Sequence, residues 1–211
     1  MSAKNLYAVN TALYKEYRAY ISDSAIYYLN QNLDIAYNLK DLQKINETTI
    51  STAALFSALG MYKETIDMLG DVREEAFDKQ QRADYYLTYR HVYMGLGVYS
   101  QNGRDKKKYW QKVVQYKDSA YSVLDPNSDD YLRIYETDLL EDIKLDEALS
   151  INDKRLVQTK SGTPGYALIM FDRSLIYRKK GNVGMEKECL ILSTLSDIQS
   201  AIKDNGSIPI L

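Results

Sequence analysis

A single cysteine, Cys189, leaves the chain without any intrachain disulfide, so nothing covalent braces its core or reports on the redox state of its compartment. Proline and glycine are also scarce, at three and ten in 211 residues. With so few breakers and few alternating Val/Thr runs, long helices joined by short turns are favoured over strands. One histidine, His91, and one distant cysteine do not make a conventional zinc site or a nucleophile–base dyad. No apolar run approaches the roughly 18 residues that a bilayer requires, and the opening Met1-Ser2-Ala3-Lys4-Asn5 has no apolar stretch like that of a signal peptide. An excess of either charge is missing too. The 27 Lys+Arg residues against 29 Asp+Glu leave a net charge of -2, which gives no general attraction for phosphate backbones or anionic lipid. Nucleic-acid binding by this segment is therefore not expected.

The chemical signatures are equally sparse. No Gly-x-x-x-x-Gly-Lys-Ser/Thr phosphate loop, Gly-x-Ser-x-Gly nucleophile turn or His-Glu-x-x-His zinc helix occurs. Adjacent acids such as Asp129-Asp130 and Glu141-Asp142 point in different directions on a helix and suit helix starts better than acid/base work. Cys189 stands in the apolar run Cys189-Leu190-Ile191-Leu192 and reads as a buried thiol. The expectation is a protein that is not an enzyme and holds no cofactor or metal.

What the chain has is helical periodicity and tyrosine, 20 residues of it. Leu6, Val9, Leu13, Tyr14, Tyr17 and Tyr20 recur at steps near three, four and seven, which marks a first helix of about 16 residues. Ala25, Ile26, Leu29, Leu33, Ile35, Ala36 and Leu39 carry a second helix to a turn at Lys40-Asp41. So short a connection makes the two antiparallel neighbours.

The pattern then returns. Leu55-Phe56-Ser57-Ala58-Leu59-Gly60-Met61-Tyr62 and Val92-Tyr93-Met94-Gly95-Leu96-Gly97-Val98-Tyr99 align without gaps, 37 residues apart. A looser copy runs from Ile176 through Gly181 to Val183. Gly60 and Gly97 are expected to close helices in the left-handed conformation. A small residue also recurs after an acid near the start of alternate helices, at Ala25, Thr65, Ala120 and Ala148. Its role is to let paired helices approach. Ala120 follows Tyr99 by 21 positions, where Thr65 follows Tyr62 by three. This insertion includes the basic stretch Asn102–Lys108, read as a surface loop or a longer helix start. Asp125-Pro126-Asn127-Ser128 and Ser161-Gly162-Thr163-Pro164 are further breaks, with Thr163 as a cap and Pro164 at the first helical position.

Gly60, Tyr62 and Thr65, with Gly97 and Tyr99, resemble the tetratricopeptide repeat, whose helix pairs carry Gly-x-Tyr at the turn and a small residue three positions on. The resemblance implies an all-α, right-handed superhelix of about five helical hairpins, with residues 1–211 as one array. More specifically, Leu13-Tyr14-Lys15-Glu16-Tyr17-Arg18 with Asp23-Ser24-Ala25, the Gly60-Met61-Tyr62-Lys63-Glu64 corner, Tyr85-Tyr86, and Cys189-Leu190-Ile191-Leu192 with Asp197-Ile198 resemble the repeat region of membrane-linked regulatory proteins from Bacteroidetes. That resemblance implies a sensor region of a signalling or transcription regulator, outside the inner membrane and ahead of a transmembrane helix; a cytoplasmic location is the alternative. The apolar ending Ser207-Ile208-Pro209-Ile210-Leu211 reads as the opening of a further element.

In such an array the first helix of each pair lines one surface. Tyr14, Tyr17, Arg18, Tyr85, Tyr89 and His91 are the candidate ligand- or partner-binding residues, combining aromatic area, a planar cation and a titratable donor. Tyr7 shares their register, whereas Tyr62, Tyr93, Tyr99 and Tyr177 hold positions that pack hairpins. The expected function is a binding or sensory scaffold for a peptide or protein. The alternative is a small-molecule or glycan-sensing domain with its pocket inside the superhelix.

Overall fold

The computed structural model describes residues 2–19 and 21–200, so the apolar ending from Ile208 lies outside the described residues. Helix makes up 82% of the described residues, and no strand occurs among them. The chain divides into two compact units, Met1–Leu124 and Asp125–Leu211. The first holds α1 (Ala3–Tyr17), α2 (Ser22–Leu39), α3 (Leu42–Ala58), α4 (Tyr62–Gly70), a short 3-10 turn (Glu74–Ala76), α5 (Lys79–Tyr99) and α6 (Gly103–Val123). The second holds α7 (Asp129–Glu141), α8 (Leu145–Val157), α9 (Pro164–Lys179) and α10 (Val183–Gln199). Consecutive helices pair as hairpins, α1 with α2 through to α9 with α10, and within the first unit α3 also packs on α2 and α5.

Local chemistry starts and stops these helices. Ser2, Asp41, Asp78, Asn102, Ser128, Thr163 and Asn182 each accept a backbone N–H of the first turn, and Asp78 with Gln81 closes a reciprocal capping box. Pro164 occupies the opening turn of α9 next to its cap Thr163. At the other end, one device recurs: a residue in the left-handed region, followed by an N–H that reaches back to a carbonyl of the last turn. It stands at Lys40, Gly60, Ile143 and Gly181. The returning bonds are Asp41 N to Ala36 O, Met61 N to Phe56 O, Lys144 N to Leu139 O and Asn182 N to Tyr177 O, all between 2.9 and 3.1 Å.

Gly97 departs from the expectation. It lies inside α5, buried, and the helix runs past it to Tyr99. The reason is α6, whose start is extended by the residues after Asn102: these form helix in place of a loop and pack against α5 at Gly97. Trp110 lies against Gly97 so closely that a Cβ there would meet its indole at 3.1 Å. Tyr99 is consequently 76% exposed and does not fill a hairpin corner. Gly95 serves another contact, since an added Cβ would collide with the Tyr62 hydroxyl.

The recurrent small residues all take the same place. Ala25, Thr65, Ala120 and Ala148 are 0% exposed, each on the second helix of its hairpin. Glu186, where the last hairpin lacks the small residue, is drawn instead into an ion pair with Arg178 at 2.7 Å. There, α9 and α10 approach through Ala167 and Ser193, the serine donating to the Ala167 carbonyl at 2.8 Å. Cys189 is buried in the same hairpin, and burial raises its thiol pKa above the ordinary value.

The second unit is pinned by one buried cation. Arg155 on α8 donates to Asp129 (2.7 Å) and Glu136 (2.7 Å) on α7 and to Asp172 (3.0 Å) on α9. Asn152, one turn earlier, donates to Glu136 and to the Ile169 carbonyl. Burial pushes the Glu136 carboxyl above its usual range, against the Arg155 hydrogen bonds that pull it down.

The left-handed corners give a paired test. Ile143, β-branched, exposed and at φ 63°, carries strain that Gly60 at φ 79° does not. We expect Ile143→Gly to stabilise the chain by about 0.5 to 1 kcal/mol, the relieved strain less the entropy that glycine adds to the unfolded state. Gly60→Val should destabilise it by about 1 to 2 kcal/mol. Urea unfolding reads both, and a loss of stability in the first variant would contradict the role given to these corners.

Candidate functional site

The first helices of the N-terminal unit are tied side by side by their own side chains. From α1, the Tyr7 hydroxyl bonds Thr48 Oγ1 at 2.8 Å on α3 and lies 3.2 Å from Glu47 Oε2. Lys44 Nζ sits 5.1 Å from the centre of the same ring. Two helical turns on, Tyr14 donates to the Ser51 carbonyl at 3.4 Å. From α3 to α5 run three further links: Ser57 Oγ to His91 Nδ1 at 2.6 Å, Gln81 to the Gln43 carbonyl at 2.8 Å, and Gln43 to Asp78 at 2.8 Å. The result is a layer of α1, α3 and α5 whose bridging groups are largely satisfied within it.

The predicted binding residues divide on this frame. Tyr14 and Tyr17 belong to one cluster: Tyr14 is buried with Ala25, Leu29 and Leu55, and Tyr17 stacks on Tyr28 with centroids 5.7 Å apart. Arg18 is exposed where α1 ends. Tyr85 and Tyr89 are buried in a different core, with Ile50, Ala53 and Leu69. His91 is exposed on α5, its ring fixed by Ser57. The six residues do not form one patch. Arg18, His91 and part of Tyr17 remain accessible, while Tyr14, Tyr85 and Tyr89 pack helices together.

Tyr85 and Tyr89 open a column of rings between α5 and α6. Tyr89 stacks on Tyr116 at 4.6 Å, Tyr116 lies parallel to Tyr93 at 5.7 Å, and Tyr93 is followed by Tyr109 at 6.2 Å. Tyr85 meets Tyr89 edge-on and donates to Glu74 at 3.0 Å. Spacings of four on α5 and seven on α6 place these rings on facing sides. Burial raises the hydroxyl pKa of Tyr85, Tyr89 and Tyr93 above 10, and pushes Tyr116 up to about 12.

Sequence reasoning missed the α3 partners Thr48, Ser51 and Ser57. Their signal is a first helix whose buried positions include the polar residues Asn46, Thr48, Thr52 and Ser57, where apolar side chains are expected. The Ser57–His91 pair has the spacing of a nucleophile and its base. Ser57, however, is 2% exposed and offers no face to a substrate. The serine instead orients the imidazole. Among the described residues, no group of three or more His, Cys, Asp or Glu is placed to hold a metal ion, and no helix is long and apolar enough to cross a membrane.

The family model described as the SusR N-terminal TPR domain matches residues 1–211. The chain belongs to that family. No curated protein matches it. Membership is consistent with the helical hairpins found among the described residues of this SusR-type TPR domain. It also bears on activity, because helical-repeat domains of this kind are generally non-catalytic scaffolds for protein interaction.

The tyrosine column predicts alkaline behaviour. Unfolded tyrosine ionises near pH 10, whereas Tyr85, Tyr89, Tyr93 and Tyr116 hold their protons to higher pH in the folded chain. Their contribution to stability is therefore whole below pH 10 and is lost as pH rises through the folded values. Tyrosinate absorbance from these residues should appear together with the loss of helical circular dichroism, above pH 10. Their ionisation at pH 10 with the helix signal intact would contradict the burial of the column.

Proposed function

We propose that this domain is the sensory part of a signalling or transcription regulator, lying on the periplasmic side of the inner membrane, and that it works by holding a peptide or protein partner on the α1–α3–α5 layer. The observation that carries this reading is the layer itself. Tyr7, Tyr14 and Ser57 lock three helices together through satisfied hydrogen bonds, so the accessible groups Arg18, Tyr17, Glu47 and His91 are presented on a rigid frame. Rigidity lowers the entropic cost of binding, and a guanidinium, a phenol and an imidazole suit a segment bearing carboxylates. The family description, an N-terminal domain of SusR, supports the sensory role and the location.

A second reading, a polar small ligand or glycan, is favoured by one feature of the C-terminal unit. A cleft of about 470 Å³ between the start of α7 and the end of α8 is lined by Asn127, Tyr131, Tyr135, Lys154 and Gln158 together with the apolar Pro126, Leu132, Ile151 and Val157. Aromatic faces beside amide and ammonium donors suit a polyhydroxylated ligand.

One experiment separates the two readings. Peptides selected from a random library against the folded domain should shift the NMR signals of His91 and of residues near Arg18, and His91→Ala with Arg18→Ala should weaken them by roughly tenfold. Selected peptides that bind equally well to the double variant would remove the layer from the account. Binding of oligosaccharides that is abolished by Tyr131→Ala would favour the second reading.

A further inference from the structure

The opening of α6 carries charge that its fold does not require. Arg104, Lys106, Lys107 and Lys108 stand in the first two turns, all exposed, with Asp105 the one acid among them. A helix start favours anionic side chains, because its unbonded N–H groups carry partial positive charge. Arg104 precedes Lys107 and Lys108 by three and four residues, so their charges are neighbours on the helix surface and repel. Among the described residues, none of the four cationic groups makes an ion pair.

Apolar surface adjoins the cations. Trp110 is 37% and Val114 51% exposed, and Lys107, Trp110 and Val114 recur at steps of three and four, on one side of α6. Trp110 is held in place from behind by Gly97, which leaves room for the indole against α5. A cleft of about 510 Å³ runs along the same opening, lined by Asn102, Arg104, Asp105, Lys107, Lys108 and Gln111. The insertion that lengthens this hairpin thus places cations, two amide side chains and the indole together.

We propose that this flank of α6 is a docking surface for an acidic peptide segment of a protein partner, in which Asp or Glu residues surround a large apolar side chain. Charge complementarity selects the acids, and the exposed indole and Val114 receive the apolar anchor. Arg104 and the amides of Asn102 and Gln111 supply directional donors for carboxylates and peptide groups. The apolar strip is narrow, one or two side chains wide, unlike the broad face that sinks into a lipid headgroup region. The net charge of -2 over the whole chain works against an extended polyanion. This surface is separate from the α1–α3–α5 layer and does not depend on it.

Trp110 is the only tryptophan in the chain, so its fluorescence reports on this flank alone. Titration with a synthetic peptide of Asp and Glu interspersed with Leu and Phe should shift its emission to the blue, with affinity falling as salt is raised. The double variant Lys107→Glu, Lys108→Glu should bind roughly tenfold more weakly or worse, with helix content and melting temperature maintained. If that variant does not fold, Lys107→Gln with Lys108→Gln serves, with a smaller loss in the same direction. Phosphatidylglycerol vesicles should leave the emission unchanged. No shift with the peptide, or an equal shift with the charge variants, overturns the proposal; so does a shift with vesicles where the peptide gives none, which would assign the surface to lipid.

Discussion

The separation of the two helices in a hairpin is the constraint on which the rest of this structure depends. It is set by a side chain too small to hold the helices apart, buried completely at Ala25, Thr65, Ala120 and Ala148. Close approach brings the larger residues on either side into contact, and a single hairpin still leaves an apolar face that the next one must cover. Thr65 adds a polar version of the same fit, its hydroxyl bonding the Met61 carbonyl of its own chain segment and lying 3.3 Å from the Ala53 carbonyl of α3.

Once that spacing is fixed, each unit completes its packing with buried polar groups, in different ways. The N-terminal unit uses tyrosine, which has the length to cross from α1 to α3 and a hydroxyl to anchor at the far side. The C-terminal unit uses Arg155, whose planar fork meets acids from α7 and α9 at once. Both arrangements reward only one register, because a shift would strand buried donors and acceptors. For a domain that recognises partners by contact, such rigidity has a direct use: the exposed groups are already in place when the partner arrives.

Much of this was legible in the sequence, and the exceptions have physical causes. The period of 3.6 exposes helices wherever one face is buried, and Gly60 and Gly181 mark turns because left-handed corners favour glycine. Gly97 carries the same letter for another reason, a close contact with Trp110, and the local pattern does not distinguish the two. Ile143 adopts the left-handed corner without glycine and is therefore silent. The tyrosines stand out by number, but a tyrosine on a first helix can turn its hydroxyl to a ligand or to Thr48, and only the distance between α1 and α3 decides which. Arg155 looks like any surface arginine until Asp129, Glu136 and Asp172 converge on it from two other helices.

The most direct measurement of the central constraint is the stability of Ala120→Leu, read together with its alkaline tyrosine titration. A larger side chain at that buried position must push α6 from α5, and overpacking of this kind costs about 1 to 3 kcal/mol. It should also open the ring column one turn away, so that Tyr116 ionises closer to pH 10 than in the parent. A variant as stable as the parent, with Tyr116 still titrating near 12, would show that the small residue does not set the spacing of the hairpin.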